Sequence, residues 1–311
     1  MEEKQINKYL RKQFAPIGWT LVVYHAMMLV TVMMAMIIIL VFKIITTGDT
    51  TLAPEDGAWG YVVCVIVGYV ILRLWKKKAF FRDQIWAKGR PMEIGTFMAL
   101  LCFTVGSQYF NGLLVTAMEY ILNLFGLSIL AILDTVSGQS DTFGMFVYGA
   151  FLAPISEEIL FRGFLQRSLM PYGKKFAIFC SAFLFSLFHG NLAQTPYAFA
   201  VGLVLGYTAA EYSIGWAMVL HMFNNLVLAD MSERLSRFLP SGVGDAIISL
   251  VILSCAIASV VLLIVQRKKI GAYLRRECMD ERCVKWFFCN AGMIVLMLLM
   301  LFNIITAITP V

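Results

Sequence analysis

The stretch Glu157-Glu158-Ile159-Leu160-Phe161-Arg162 decides the fold, because it places three charges inside an apolar run from Phe143 to Leu165. That run is long enough to form a membrane-spanning helix. Charged side chains are costly in hydrocarbon, so such residues are interpreted first as functional. On a helix, Glu158 and Arg162 are four residues apart and can pair. Glu157 lies about 100° further round, without a partner on its own helix, and an unpaired carboxylate in a low-dielectric site suits a general base.

The composition is typical of an integral membrane protein built from helices. Of the 311 residues, 60% are hydrophobic and only 14% are charged, and the mean hydropathy is +0.80. Soluble globular domains do not have this composition. The formal net charge of +6 comes from short basic clusters between apolar runs, a pattern of membrane topology rather than of nucleic-acid binding. The sequence therefore predicts an all-α, polytopic transmembrane bundle of about eight or nine spans, with the lipid bilayer as a partner and no nucleic acid.

The charges between the first apolar runs alternate in sign. The N-terminal segment up to Gln13 is basic, the loop from Thr46 to Gly57 is acidic, and the loop from Arg73 to Arg90 is basic. The positive-inside rule then places the N-terminus in the cytoplasm. We read Glu93 to about Asn111 as one span and Leu113 to Leu133 as a segment in the outer interface. The predicted location is the plasma membrane, multi-pass, and the basic inner loops are bacterial in style.

Three regions follow from this reading. Residues 1–140 hold N-terminal transmembrane helices and the interfacial segment, residues 141–231 hold the charged motif, and residues 232–311 hold C-terminal transmembrane helices. Within the middle region, Pro154 is expected to kink the helix that carries Glu157. The pair Gly202-x-x-x-Gly206 is expected to let a neighbouring helix approach closely.

The chain has three histidines, and two lie on successive apolar helices downstream of Glu157. One ends the stretch Phe185-Ser-Leu-Phe-His189, and the other begins His221-Met-Phe-Asn-Asn225. At about 1.5 Å of rise per residue, Glu157 and both histidines fall at one depth near the midplane. The third, His25, stands alone in the first span and is interpreted as packed rather than catalytic.

The ordered set Glu-Glu-x-x-x-Arg, Phe-x-x-x-His and His-x-x-x-Asn resembles the CAAX protease and bacteriocin-processing family (CPBP, also called ABI). This family includes the type II CAAX prenyl endopeptidase and the lysostaphin-resistance-type proteins. The similarity runs from about Phe143 to Asp230, and all three motifs are intact and in order. It implies a four-helix catalytic core and an intramembrane endopeptidase that acts on a peptide or membrane-protein substrate.

The resemblance also implies a role for each residue of the first two motifs. Glu157 and His189 would hold and activate a water molecule, and Glu157 would take its proton and later pass one to the leaving amine. Glu158 and Arg162 would fix the helix geometry and orient a neighbouring side chain. Phe185 would pack so as to aim His189.

The third motif implies the means of stabilising the transition state. His221 and Asn225 would donate hydrogen bonds to the tetrahedral oxyanion. Glu157, His189 and His221 together are also a familiar zinc set. Asn225 beside His221 is not typical of a zinc site, so water activation without a metal is favoured and zinc remains the alternative.

Two other functions compete with proteolysis. A non-catalytic bacteriocin self-immunity or regulatory protein would retain the fold, although intact motifs argue against lost catalysis. A proton-coupled transporter would use Glu157 and His189 as a relay. It would need polar residues along a path to both faces, and the runs 176–188 and 197–207 are almost wholly apolar outside the motifs.

Overall fold

The structure is a computed structural model that describes residues 3–52, 54–75, 86, 87, 89–130, 142–227, 238–240, 242–276 and 279–311. Predictions that concern Lys76–Lys78, Arg82, Lys88 and residues 131–141 and 228–237 lie outside the described residues. The helices are α1 (Glu3–Thr47), α2 (Pro54–Trp75), α3 (Ile94–Asn123), α4 (Phe143–Tyr172), α5 (Lys174–Leu187), α6 (Thr195–Glu211), α7 (Ile214–Asn225), α8 (Val243–Arg276), α9 (Glu281–Phe288) and α10 (Ala291–Thr306). Two short strands, β1 (Leu127–Ser128) and β2 (Thr309–Pro310), pair antiparallel.

The predicted all-α fold is confirmed, but fewer helices have the length of a full crossing than the eight or nine expected. Among the described residues, α1, α3, α4 and α8 are long and apolar enough to span a membrane. The pair α9 and α10, bent by 69°, makes a fifth if it counts as one span. The expected count included the apolar runs of α5, α6 and α7 as crossings, whereas these helices have only 14, 17 and 12 residues. A hydrocarbon core of about 30 Å needs about 20 helical residues.

Helix α3 differs from the predicted division near Asn111, because it runs unbroken for 30 residues. Gly106 packs against α8, where an added Cβ would come within 2.7 Å of the backbone of Ala256. The glycine therefore serves close packing and does not end the helix. Glu119 accepts hydrogen bonds from the Ser128 hydroxyl at 2.7 Å and from the Ile129 amide at 2.9 Å. Its carboxylate thus holds the turn that follows α3.

One end of the bundle collects basic side chains around a single carboxylate. Glu211, at the end of α6, pairs with Arg90 and, at 2.7 Å, with Lys174. The Tyr273 hydroxyl donates to the same carboxylate at 3.1 Å. Arg167 donates to the Ala209 carbonyl nearby, at 3.2 Å. These contacts bring the basic ends of α4 and α8 and the starts of α3 and α5 together, as the alternating charges require.

The start of α1 joins this same end. Phe14 packs edge-on against Tyr172 with ring centroids 4.7 Å apart, and the Trp286 indole donates to Asn7 at 2.8 Å. That this end faces the cytoplasm stays a prediction.

The acidic loop after α1 has its own local order. Lys43 lies 3.0 Å from carboxylate oxygens of both Asp49 and Asp56. Hydrogen bonds from the Thr51 hydroxyl and amide, and then from Lys43, lower the pKa of Asp49 to about 2. The loop therefore stays anionic at neutral pH, in keeping with its place between two apolar helices.

Candidate active site

Helix α4 carries the charged motif on an irregular backbone. Two segments, Tyr148–Leu152 and Ile159–Gln166, have π-helical hydrogen bonding, and an α-helical segment, Ala153–Glu158, separates them. Pro154 stands near the start of that middle segment and removes one backbone donor from the helix. The helix type thus changes on both sides of the segment that contains Pro154, and a kink at Pro154 stays a prediction. Single π turns within α-helices occur frequently at functional sites.

Glu158 and Arg162 form the ion pair that their spacing predicts. The Arg162 Nη1 lies 2.9 Å from Glu158 Oε1, and both side chains are fully buried. Arg162 Nη2 also donates to the Gly202 carbonyl of α6 at 3.0 Å, and its guanidinium stands 4.4 Å from the centre of the Phe185 ring. A buried charge needs such pairing and hydrogen bonding to be tolerated. Arg162 therefore joins α4 to α5 and α6.

Glu158 also orients His221. The His221 Nδ1 lies 3.0 Å from the same Glu158 Oε1 that accepts from Arg162. Because an ionised carboxylate can only accept, we assign a hydrogen to Nδ1 of His221. This contact fixes the ring, and it turns Nε2 toward Glu157, whose Oε2 lies 3.8 Å away. The neighbour that Glu158 was expected to orient is thus His221.

Glu157 faces a cavity rather than a partner on its own helix. About a third of its side chain is exposed, at 34%. It lines a cavity of about 240 Å³ together with His189. A cavity of this size admits several water molecules. The structure therefore brings Glu157, His189 and His221 close together, and the Glu157 carboxylate borders a cavity that can hold water.

His189 follows the end of α5 and does not belong to its regular helix. Its Nδ1 lies 3.0 Å from the Phe185 carbonyl, which can only accept, so we assign the hydrogen to Nδ1 and leave Nε2 as the second ring nitrogen. The Phe185 ring packs edge-on against both His189 and His221, at centroid distances of 4.9 and 5.7 Å. Phe185 thus contacts His189, as expected, and also His221.

Asn225 is the last residue of α7, and it makes a contact that its spacing from His221 does not predict. Its Nδ2 donates to the Gly149 carbonyl at 3.0 Å, within the first π-helical segment of α4. The amide has two hydrogens, so one donor is engaged there and one is left. Asn225 therefore ties α7 to the backbone nine residues before Glu158.

A metal was the alternative at the predicted set Glu157, His189 and His221. Among the residues that the structure describes, no group of three or more His, Cys, Asp or Glu side chains is placed to hold a metal ion. Both histidines direct Nδ1 at an oxygen acceptor, so only Nε2 of each would be available as a ligand.

The cavity has walls that the motifs do not supply. Helices α1 and α2 contribute Tyr24, His25, Tyr61 and Cys64, and α4 adds Tyr148. His25 packs edge-on against Phe188 with ring centroids 5.4 Å apart, so the lone histidine of the first span also borders the candidate site. No local pattern in the sequence signals these residues, because they meet Glu157 only when separate helices pack together.

Comparison with known proteins bears on the segment that contains these side chains. Residues 139–227 match the family model described as type II CAAX prenyl endopeptidase Rce1-like. The resemblance to the CAAX-protease family is confirmed for this segment. No match was found among curated proteins or among solved structures. All seven motif residues fall within the matched range, and the match supports a CAAX-protease-type intramembrane endopeptidase in general.

The glycine pair of α6 allows α4, α5 and α6 to pack closely around Arg162. A Cβ at Gly202 would lie 3.0 Å from Ala182 Cα, and one at Gly206 would lie 3.0 Å from Gln166 Oε1. The carbonyls of the two glycines accept from Arg162 and from Gln166, at 3.0 and 2.8 Å. The close approach expected of Gly202-x-x-x-Gly206 thus also delivers two acceptors to buried polar side chains.

Gly202→Ala is expected to destabilise the protein by about 1–3 kcal/mol, because the added methyl group overpacks the contact between α5 and α6. The helices would have to move apart to admit the methyl group, and this would displace the Gly202 carbonyl that accepts from Arg162. The rate of peptide cleavage should therefore fall as well. Gly112→Ala is the matched control, since Gly112 lies in α3 with nothing within 4 Å of an added Cβ. Thermal unfolding of both variants checks this, and a Gly202→Ala variant as stable as the wild type would contradict it.

Proposed function

We propose that this protein is an intramembrane endopeptidase that hydrolyses a peptide bond with a water activated by Glu157 and His189. The observation that carries the proposal is that both residues line one cavity of about 240 Å³, while the buried ion pair of Glu158 and Arg162 lies on the same helix as Glu157. A carboxylate beside a water and a fixed imidazole is a sound general base.

In the proposed reaction Glu157 accepts a proton from the water as its oxygen attacks the scissile carbonyl carbon. The Nε2 of His189 accepts the second hydrogen bond of that water, since its Nδ1 is held by the Phe185 carbonyl. The tetrahedral intermediate then breaks its carbon–nitrogen bond, and Glu157 returns the proton to the leaving amine. The products are a carboxylate and an amine, and no covalent enzyme intermediate forms.

His221 and Asn225 stabilise the oxyanion of that intermediate. Asn225 offers its remaining amide hydrogen, and His221 offers a hydrogen from Nε2 when the ring carries protons on both nitrogens. Two carboxylates flank this ring, with Glu158 3.0 Å from Nδ1 and Glu157 3.8 Å from Nε2. Hydrogen bonds that form only in the transition state lower the barrier without tightening substrate binding.

His221→Ala and Asn225→Ala are each expected to lower kcat by about 100-fold or more, with a much smaller change in KM. Steady-state kinetics on purified protein in lipid vesicles check this. A loss confined to KM would rule out the oxyanion role, because it would mean that the interaction is made equally in the bound substrate.

The lining of the cavity supports a proposal for the substrate class. Beyond the polar groups, the walls are apolar and include Met28, Val65 and Leu160. Such walls suit a peptide with apolar side chains near the scissile bond. A peptide precursor, a pheromone leader or the tail of a membrane protein has this character, with entry from the cytoplasm or laterally from the bilayer.

Mass spectrometry of protein termini tests the proposed function. Membranes and medium of host cells would be compared between the wild type and Glu157→Gln at matched expression. New termini present only with the wild type would establish proteolysis and identify a substrate. Identical termini would overturn the proposal and favour a non-catalytic immunity or regulatory protein that keeps the fold.

A further inference from the structure

The proposed oxyanion site is short of free hydrogen-bond donors. His221 uses its Nδ1 hydrogen on Glu158, and Asn225 uses one of its two amide hydrogens on Gly149. His221 donates from Nε2 only as the doubly protonated ring, and Asn225 has a single hydrogen left. A developing oxyanion is best stabilised by two or more donors that are held in place before the reaction. The cavity should therefore supply another donor.

Tyr148 has the right chemistry and the right place. It lines the same cavity as Glu157 and His189. Its hydroxyl makes no hydrogen bond to any residue that the structure describes. The side chain is half-buried and lines the cavity, so its hydroxyl is free to donate to a group that arrives with the substrate.

The position of Tyr148 is fixed from two sides. Its ring stacks on Tyr61 of α2, with centroids 5.0 Å apart and planes inclined by 26°. The next peptide carbonyl, that of Gly149, accepts the hydrogen bond from Asn225. Tyr148 begins the first π-helical segment of α4, so this bond holds the turn on which the phenol stands. Asn225 is thereby a positioning residue for Tyr148 as well as a donor.

The cavity has two further phenols, Tyr61, whose ring stacks on Tyr148, and Tyr24, whose surroundings differ. Its hydroxyl lies against α2, only 2.7 Å from where a Cβ of Gly68 would stand. That contact directs the Tyr24 hydroxyl toward a helix–helix interface. Of the three phenols, Tyr148 is the one that stands on α4, the helix that carries the charged motif.

We propose that the Tyr148 hydroxyl donates a hydrogen bond to the oxyanion of the tetrahedral intermediate, on a turn that Asn225 holds in place. The inference rests on the proposed function. The phenol keeps its proton throughout, so the step adds a hydrogen bond to the proposed hydrolysis and changes no bond order. The contact strengthens as the carbonyl oxygen gains negative charge, and its effect therefore falls on turnover.

The test is Tyr148→Phe in the full chain, in lipid vesicles, with a peptide whose cleavage depends on Glu157. The change keeps the ring and its stacking on Tyr61, so the melting temperature should stay close to that of the wild type. We expect kcat to fall at least tenfold, with KM changed less than about threefold. Tyr120→Phe, an exposed phenol of α3 at 69% exposure, is the matched control and should leave both constants unchanged.

A double variant separates positioning from a general loss of packing. If Asn225 acts partly through Tyr148, then Asn225→Ala combined with Tyr148→Phe loses less than the product of the two single losses. Unchanged kcat in Tyr148→Phe, a loss confined to KM, or full multiplicativity of the two changes would each overturn the inference. Failure of the proposed function gives a different result, because the wild type and Glu157→Gln would then show no difference in cleavage.

Discussion

Glu157→Gln is expected to lower the rate of peptide cleavage by at least about a thousandfold, because one carboxylate both removes a proton from the water and returns it to the leaving amine. An amide of the same shape does neither. The measurement is a single-turnover cleavage assay in lipid vesicles with the substrate identified from its new termini. Glu93→Gln, the same chemical change at an exposed carboxylate before α3, is the matched control and should cleave normally.

The fold should survive this change. The Glu157 side chain is one-third exposed, and the His221 Nε2 at 3.8 Å is too distant for a direct hydrogen bond. We therefore expect a melting temperature within a few degrees of that of the wild type. Full activity in Glu157→Gln would contradict the mechanism, because it would mean that another group activates the water. A large loss of stability would instead assign Glu157 a structural role.

The sequence predicted best what depends on residues close together in the chain. The pairing of Glu158 with Arg162 follows from a spacing of four on a helix, and the two side chains do pair at 2.9 Å. The contact of Phe185 with His189 has the same spacing and is also present. In both cases local helix geometry alone brings the groups together.

Contacts between helices were predicted only in outline. That Glu157 and two histidines share a depth followed from counting residues, but the bond between Glu158 and His221 spans 63 positions and depends on how α4 and α7 pack. The contact of Asn225 with Gly149 also needs the π-helical turn of α4, which no local pattern signals. Tyr148 and His25 likewise line the cavity only because separate helices pack together. Counting residues gives only the position of a side chain along its helix. These contacts also depend on how each helix is rotated about its axis.

The ends of helices were the least predictable feature. The predicted division near Asn111 is absent, because α3 continues to Asn123, and Gly106 within it serves the contact with α8. Intrinsic preference costs a glycine only about 1 kcal/mol within a helix, and tertiary packing outweighs that amount. The apolar runs of α5, α6 and α7 likewise do not reveal that their regular helices are shorter than a full crossing.

The second large effect is expected at Arg162, where Arg162→Met should destabilise the protein by about 3–5 kcal/mol. The change leaves the fully buried Glu158 carboxylate without its cation and removes the hydrogen bond to the Gly202 carbonyl that joins α4 to α6. Activity should be lost as well, since Glu158 positions His221. Thermal unfolding in lipid nanodiscs, with cleavage measured on the same samples, would show both losses.

Glu158→Leu combined with Arg162→Met separates stability from catalysis. Replacing both members of a buried ion pair with apolar residues of similar volume is often neutral or stabilising, so the double variant should regain most of the stability lost in Arg162→Met. It should remain inactive, because His221 Nδ1 no longer has a carboxylate acceptor to fix the ring. A double variant as unstable as the single one would mean that Arg162 acts through Gly202 and Phe185 rather than by neutralising Glu158. A double variant that cleaves normally would show that the orientation of His221 does not depend on Glu158.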